Sequence, residues 1–203
     1  MKEESRQAIT RFYRSAEKEF CEFAASQSPD DYEAAVSLIM EMRHAGGRLH
    51  ITGIGKPGHV AEYGASLLSS TGTPCYFLHG TEAVHGSCGQ LVSGDVVIAI
   101  SNSGETMELK ATIKAIRNNG CRLIAVTADA ESWLAKHCDV VLLAAVREEG
   151  GPLNRAPRNS VLAESAVLMA LSAALQTECA QTPAEYVRCH PGGKLGELRE
   201  GEK

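Results

Sequence analysis

The run DVVIAI, Asp95 to Ile100, constrains the fold of this chain more than any other stretch. Its apolar residues follow one another without alternating in and out, and most are β-branched. A strand of that composition is buried on both faces. Comparable runs recur at RLHIT (48–52), PCYFL (74–78), RLIAVT (122–127) and DVVLLA (139–144). Between them lie segments with helical spacing: 57–71, 105–118 with Gly120 as its stop, and the short AESWLAKH (130–137). Alternating strands and helices predict a parallel sheet with helices on both sides. We therefore expect an α/β fold, a doubly wound five-stranded parallel sheet of flavodoxin-like type.

Helical patterns flank this unit. Ile9, Phe12, Tyr13, Ala16, Phe20 and Phe23 are spaced by threes and fours and predict an amphipathic helix over 5–26. Ser28 and Pro29 suit the start of a second helix, which should run to about Ala45 and stop at Gly46-Gly47. SVLAESAVLMALSAALQTE (160–178) predicts a long apolar helix, and TPAEYVRCHPGGKLGEL a short closing segment. We read 1–47 as an N-terminal helical extension and 48–198 as the main domain, one structural unit. Both apolar helices suggest burial against a partner chain, hence a homodimer or homotetramer.

The bulk numbers exclude several partners. Formal net charge is -5 and no long basic run occurs, which argues against nucleic acid. Aromatic residues make up only 5% of the 203, so stacking platforms for bases are not expected. No uninterrupted apolar run approaches the roughly 18–20 residues of a membrane span, and no membrane role is expected. MKEESRQAIT lacks the apolar core of a signal peptide. Seven widely spaced cysteines without a C-x-x-C do not form a disulfide framework, and a cytoplasmic protein is the expectation.

Two loops at strand ends carry candidate chemistry. GIGKPG, Gly53 to Gly58, spells the G-x-G-x-x-G of dinucleotide-binding folds. That motif needs an acidic residue at the end of the next strand, and here YFLHG places His79 there. A P-loop needs G-K-[ST], and this chain has Gly-Lys-Pro. Neither nucleotide reading holds. A tight glycine turn at Gly55, a helix start and the positive charge of Lys56 remain, all suited to an anion. The second loop, SNSGETMEL, follows DVVIAI. Ser101, Asn102, Ser103 and Thr106, with the N–H groups around Gly104, could surround a phosphate; an ordinary helix cap needs fewer polar groups.

With GIGKPGH, STGTPCYFLHGTEAVHG, SGDVVIAISNSGET, EGGPLNRAP and HPGGKLG in that order, residues from about 48 to 196 resemble the sugar isomerase (SIS) domain family. Within it they look like the arabinose-5-phosphate isomerases. The resemblance implies aldose-ketose isomerisation through an enediol, with no metal or redox cofactor. It implies that Ser101, Ser103 and Thr106 hold the sugar phosphate. It also implies that Lys56, Glu105, Glu149 and His190 are the catalytic candidates, with Glu82 and His85 near the sugar. His190 can come from a neighbouring subunit in such proteins.

The chain departs from the family pattern at three places. A Ser/Thr-rich segment is replaced by APRNSVL, which keeps the hydroxyl of Ser160 and gains Arg158. Ser87 stands where relatives have an aspartate. The chain ends soon after HPGGKLG, where many relatives continue into CBS domains, so we expect none here. Another phosphosugar isomerase, such as a 6-phospho-3-hexuloisomerase, and a non-catalytic phosphosugar sensor are the rival readings. His79, His85 and Cys88 lie close together, but their spacing fits no standard metal site.

Overall fold

The computed structural model describes residues 1–202. Two helices lead the chain, α1 (Glu3–Ser26) and α2 (Asp30–His44). Strand β1 (Leu49–Gly53) is followed by α3 (Lys56–Ser70) and β2 (Cys75–Phe77). After two 3₁₀ turns, Glu82–His85 and Ser87–Gln90, come β3 (Val96–Ile100), α4 (Met107–Asn118), β4 (Arg122–Thr127), α5 (Trp133–Lys136) and β5 (Val140–Leu143). The chain closes with α6 (Asn159–Glu178) and α7 (Pro183–Cys189).

All five strands are parallel, in the order β2-β1-β3-β4-β5. The apolar runs explain this. Every residue of β1 and β3 is buried, as expected of strands covered on both faces. Leu49, Ile51, Val96, Ile98 and Ile100 face a core built with α2, α3 and α6. Val97, Ala99, Leu123 and Ala125 face a second core with α4 and α5. The chain leaves β1 toward β2 on one face and leaves β3 toward β4 on the other. The strand order therefore reverses between β1 and β3, which is where open parallel sheets bind ligands.

Asp95 ties the opposite edge together. Its fully buried carboxylate accepts from the Arg48 N–H (2.8 Å), the Val92 N–H (3.0 Å) and the Arg48 guanidinium (3.2 Å), and lies 3.2 Å from His50 Nε2. Burial pushes the His50 imidazole below its ordinary value, although the Asp95 charge works the other way.

Three local details differ from the sequence reading. Helix α4 begins at Met107, two residues late, because Ser101 to Gly104 form a turn of their own: the Gly104 N–H donates to Ser101 O (3.1 Å) and Oγ (3.2 Å). Glu105 therefore precedes the helix rather than occupying its first turn. The closing segment contains a capped helix, α7, with Thr182 and Glu185 forming a reciprocal capping box. Finally, α6 is by length and composition apolar enough to span a membrane, with a mean hydropathy of 1.4. Here Val167, Leu168, Leu171 and Leu175 pack it into the first core.

Candidate active site

Gly53 pairs with Ile100, so the loops that follow β1 and β3 leave the sheet side by side. In the first loop Gly55 has φ +69°, a conformation that glycine adopts without strain. This turn drops the chain directly into α3, with Lys56 as its exposed first residue and Pro57 next. A Cβ on Gly53 would lie 2.7 Å from the Pro57 carbonyl, so the glycines of GIGKPG bring strand and helix into close contact.

The serine-rich loop braces itself. Ser101 Oγ is 3.3 Å from Thr106 Oγ1, and Ser103 Oγ accepts the Glu105 N–H at 3.2 Å. Ser101 is buried, Asn102 and Thr106 are half-buried and Ser103 is exposed. The Asn102 carbonyl accepts from the Ala128 N–H at 2.9 Å and from Thr127 Oγ1 at 3.2 Å, while Asn102 Oδ1 is buried without a partner. Beyond the turn, the first N–H groups of α4 have no intrahelical acceptor. Lys56 at the head of α3 and the first N–H groups of α4 thus converge on the switch point with positive charge and free donors, while Pro57 has no N–H and the Gly58 N–H donates to Gly55 O at 3.1 Å.

Glu105 is turned away from that point. One carboxylate oxygen accepts the Trp133 N–H at 2.7 Å and the other lies 2.5 Å from Lys110 Nζ. Lys110 and then the Trp133 N–H lower its proton affinity. Its side chain links the serine loop to the start of α5.

Glu149 lies on the loop between β5 and α6, at the same edge. Its Oε2 accepts the backbone N–H groups of Arg158 (2.6 Å) and Ser160 (3.2 Å), so it caps α6. Its own N–H donates to Asn154 Oδ1 at 2.6 Å. Helix α1 buttresses the loop: buried Glu19 accepts the Arg147 N–H (2.6 Å), and Asn159 Nδ2 donates to Ser15 Oγ (3.1 Å). Part of α1's helical face is therefore used within the chain, while Ile9, Tyr13 and Phe20 stay exposed. Ser160 keeps its hydroxyl 1% exposed and without a partner, beneath the surface of the site.

Glu82 and His85 occupy the first 3₁₀ turn after β2, both exposed, beside the GIGKPG loop. A cleft of about 200 Å³ runs there between Gly55, His59, Phe77, His79 and Thr81. His79 organises this turn: its Nδ1 accepts the Glu82 N–H at 3.3 Å and lies 3.0 Å from Thr81 Oγ1. Cys88 is buried with Leu78 and Ala83 in the second core. Among the described residues no three His, Cys, Asp or Glu side chains converge as metal ligands.

His190 lies elsewhere. It ends α7, with Nδ1 donating to Tyr186 O at 2.8 Å and its ring stacked on Tyr186 at 4.1 Å. Helix α7 sits against Arg43, Ser69, Gly72 and Pro74, at the edge where strands begin. The 20 residues of α6 separate the two edges, a length of about 30 Å. The chain thus gathers Lys56, the serine loop, Glu149, Glu82 and His85 at one edge and leaves His190 at the other.

One buried residue was not apparent from the sequence. Glu164, mid-way along the apolar α6, is 1% exposed, and neither carboxyl oxygen has a partner. Burial, and then the charge of Glu149, push it up to about 8. Its spacing of four from Ser160 puts both on one helical face, and that spacing was the available signal.

Comparison with known proteins identifies the family. The family model described as SIS domain matches residues 41–174. A probable arabinose 5-phosphate isomerase of Haemophilus influenzae is 42% identical over 82% of this chain and 49% of its own length. The arabinose 5-phosphate isomerase KdsD of Pseudomonas aeruginosa is 41% identical over 82% of this chain and 50% of its own. The chain thus spans about half the length of these curated relatives. An Escherichia coli CFT073 protein solved in complex with arabinose 5-phosphate is 36% identical, with a TM-score of 0.83, over 94% of this chain and 100% of that one. A putative sugar-phosphate isomerase of Listeria monocytogenes superimposes with a TM-score of 0.86 at 27% identity, over 95% of this chain and 100% of that one. The chain belongs to the SIS domain family.

Proposed function

We propose that this protein interconverts D-arabinose 5-phosphate and D-ribulose 5-phosphate. The carrying observation is the convergence at the switch point of Lys56, the serine loop and the open head of α4, with Glu149 held at the same edge. The likeness to arabinose 5-phosphate isomerases supports this choice of substrate.

In this reading the phosphate sits on the hydroxyls of Ser103 and Thr106 and on the loop N–H groups, with Ser101 and Asn102 bracing the turn. Gly55 lets the backbone approach the ligand, and Gly104 lets the loop pack on Ser132. Lys56 places its charge near O1 and O2, where negative charge develops in the enediolate. Glu149 takes the proton from C2 of the aldose and returns it to C1, while a proton passes between O2 and O1. Glu82 and His85 lie beside the sugar. Glu105, bound to Lys110 and the Trp133 N–H, positions the serine loop and is not the base. The reaction moves protons only and consumes no redox cofactor.

His190 enters from a second copy, since its own site is a helix length away. Exposed Leu162 and Met169 on α6, with Ile9, Tyr13 and Phe20 on α1, form the surface we assign to a homodimer or homotetramer. All seven cysteines are free thiols, and the compartment we propose is the cytoplasm.

The test is incubation of the purified protein with D-ribulose 5-phosphate in deuterated water, followed by NMR. The reading expects arabinose 5-phosphate with deuterium at C2. Binding without exchange would favour the sensor, and turnover of hexulose phosphates alone would favour the other isomerase.

A further inference from the structure

Among the described residues, Glu164 is the one carboxyl in the interior for which the fold supplies no hydrogen-bond donor to either oxygen. Its position is informative. Helices α3 and α6 run side by side from the same edge, and a Cβ on Gly64 would come within 2.6 Å of Leu168 Cδ1. Stepping back one turn on each puts Glu164 level with Val60. Long side chains on a helix lean toward its N-terminus, over the preceding turn. The Glu164 carboxyl therefore points at the turn of α6 whose Ser160 N–H is held by Glu149.

Charged groups on the neighbouring elements have other partners or lie apart. Glu19 of α1 is held by the Arg147 N–H, and Arg147 itself lies 3.7 Å from Glu22. Arg158 donates to Ala156 O at 3.4 Å, over Gly151. Lys56 is exposed at the head of α3, Tyr32 of α2 lines a groove with Ala166, Ala170 and Ala174 lower on α6, and Arg122 of β4 is at the far edge. Glu149 is the charge that acts on Glu164.

We propose that Glu164 is a positioning residue for the isomerase: uncharged, it lets the Glu149 carboxylate stay seated on the head of α6, and on ionising it drives Glu149 off that seat. The second carboxylate would arise in a dry pocket beside the first, where like charges repel strongly. Glu149 would then leave the Arg158 and Ser160 N–H groups and with them its place at the reacting carbons. This rests on the proposed role of Glu149 in isomerisation, but the seating itself can be measured without substrate.

The experiment follows the backbone amide resonances of Arg158 and Ser160 from about pH 6 to about pH 9, in the wild type and in Glu164→Gln. The wild type should show a transition centred near 8, where Glu164 titrates. The variant, neutral throughout, should show none. Turnover of arabinose 5-phosphate should fall about tenfold between pH 7 and 9 as Glu164 ionises, with that alkaline limb absent in Glu164→Gln. Identical amide titrations in both proteins would overturn the proposal, as would an alkaline limb unchanged in the variant. If Glu164→Gln does not fold, Glu164→Met serves as the second non-titrating variant with the same expectation. If the wild type turns over no phosphosugar, the functional reading fails, and the amide titration alone decides whether Glu164 controls the seat.

Discussion

Replacing Gly104 by alanine should disrupt the serine loop through α5, 28 residues away in sequence from the loop's other contact at Glu105. Gly104 has φ +65°, and a Cβ there would overlap Ser132 Oγ and Cβ. Left-handed backbone costs a non-glycine residue about 1–2 kcal/mol. Pushing Ser132 aside adds about 1–3 kcal/mol of overpacking, and about 1 kcal/mol if its bond to the Ala135 N–H is lost. The sum is about 2–5 kcal/mol, or about 3–6 kcal/mol with that bond lost, a large part of a typical domain's stability. Urea unfolding of four proteins tests it: wild type, Gly104→Ala, Ser132→Gly and the double variant. Ser132→Gly should cost only a few tenths of a kcal/mol, because glycine is tolerated at a cap. In the double variant the overlap is gone and the backbone term remains, so the coupling should be about 1–3 kcal/mol, rising to about 4 if the Ala135 bond is lost in Gly104→Ala. Costs that add within about 0.5 kcal/mol would refute the contact between the loop and α5.

Other consequences can be checked on the same protein. Asp95→Ala leaves the Arg48 and Val92 N–H groups and His50 without their acceptor, and should cost about 3–5 kcal/mol in the same unfolding assay. Glu164 rises from 4.5 to about 8 on folding, so between those values the folded state holds a proton that the unfolded state has lost. Glu164 should therefore contribute a fall of about 1.4 kcal/mol per pH unit as pH rises through that window, read as the difference in slope between the wild type and Glu164→Gln. Burial pushes Cys75 and Cys138 up to about 12 and Cys121 up to about 11, so alkylation at mild pH should label exposed Cys21 and Cys189 first. Peptide mapping with early modification of Cys75 would contradict the packing of β2.

The sheet was legible because its signal is local. DVVIAI and RLIAVT can hardly be other than doubly buried strands, and the loops after them lie at the binding edge by topology alone. Lys56 and the serine loop were legible for the same reason, since each directly follows a strand. What a side chain touches across the fold was not. Glu105 could face solvent, a phosphate or another loop, and its partner Trp133 comes one strand later. Ser160 read as a site hydroxyl, yet helix packing seals it. Glu164 sits in an apolar run where a single glutamate ordinarily marks the wet side of a helix. Only the packing of α3 shows that this face is the dry one. The place of His190 depended on the length of α6, because a 20-residue helix carries everything after it to the opposite edge.

Subunit complementation tests the central claim most directly, that isomerisation occurs at the carboxyl edge of the sheet with His190 supplied by another copy. Lys56→Ala and His190→Ala should each be inactive with arabinose 5-phosphate. Refolded together in equal amounts as dimers, about a quarter of the sites pair an intact Lys56 with an intact His190 from the partner, and about that share of wild-type turnover should return. A mixture as inactive as its two components would contradict the shared site.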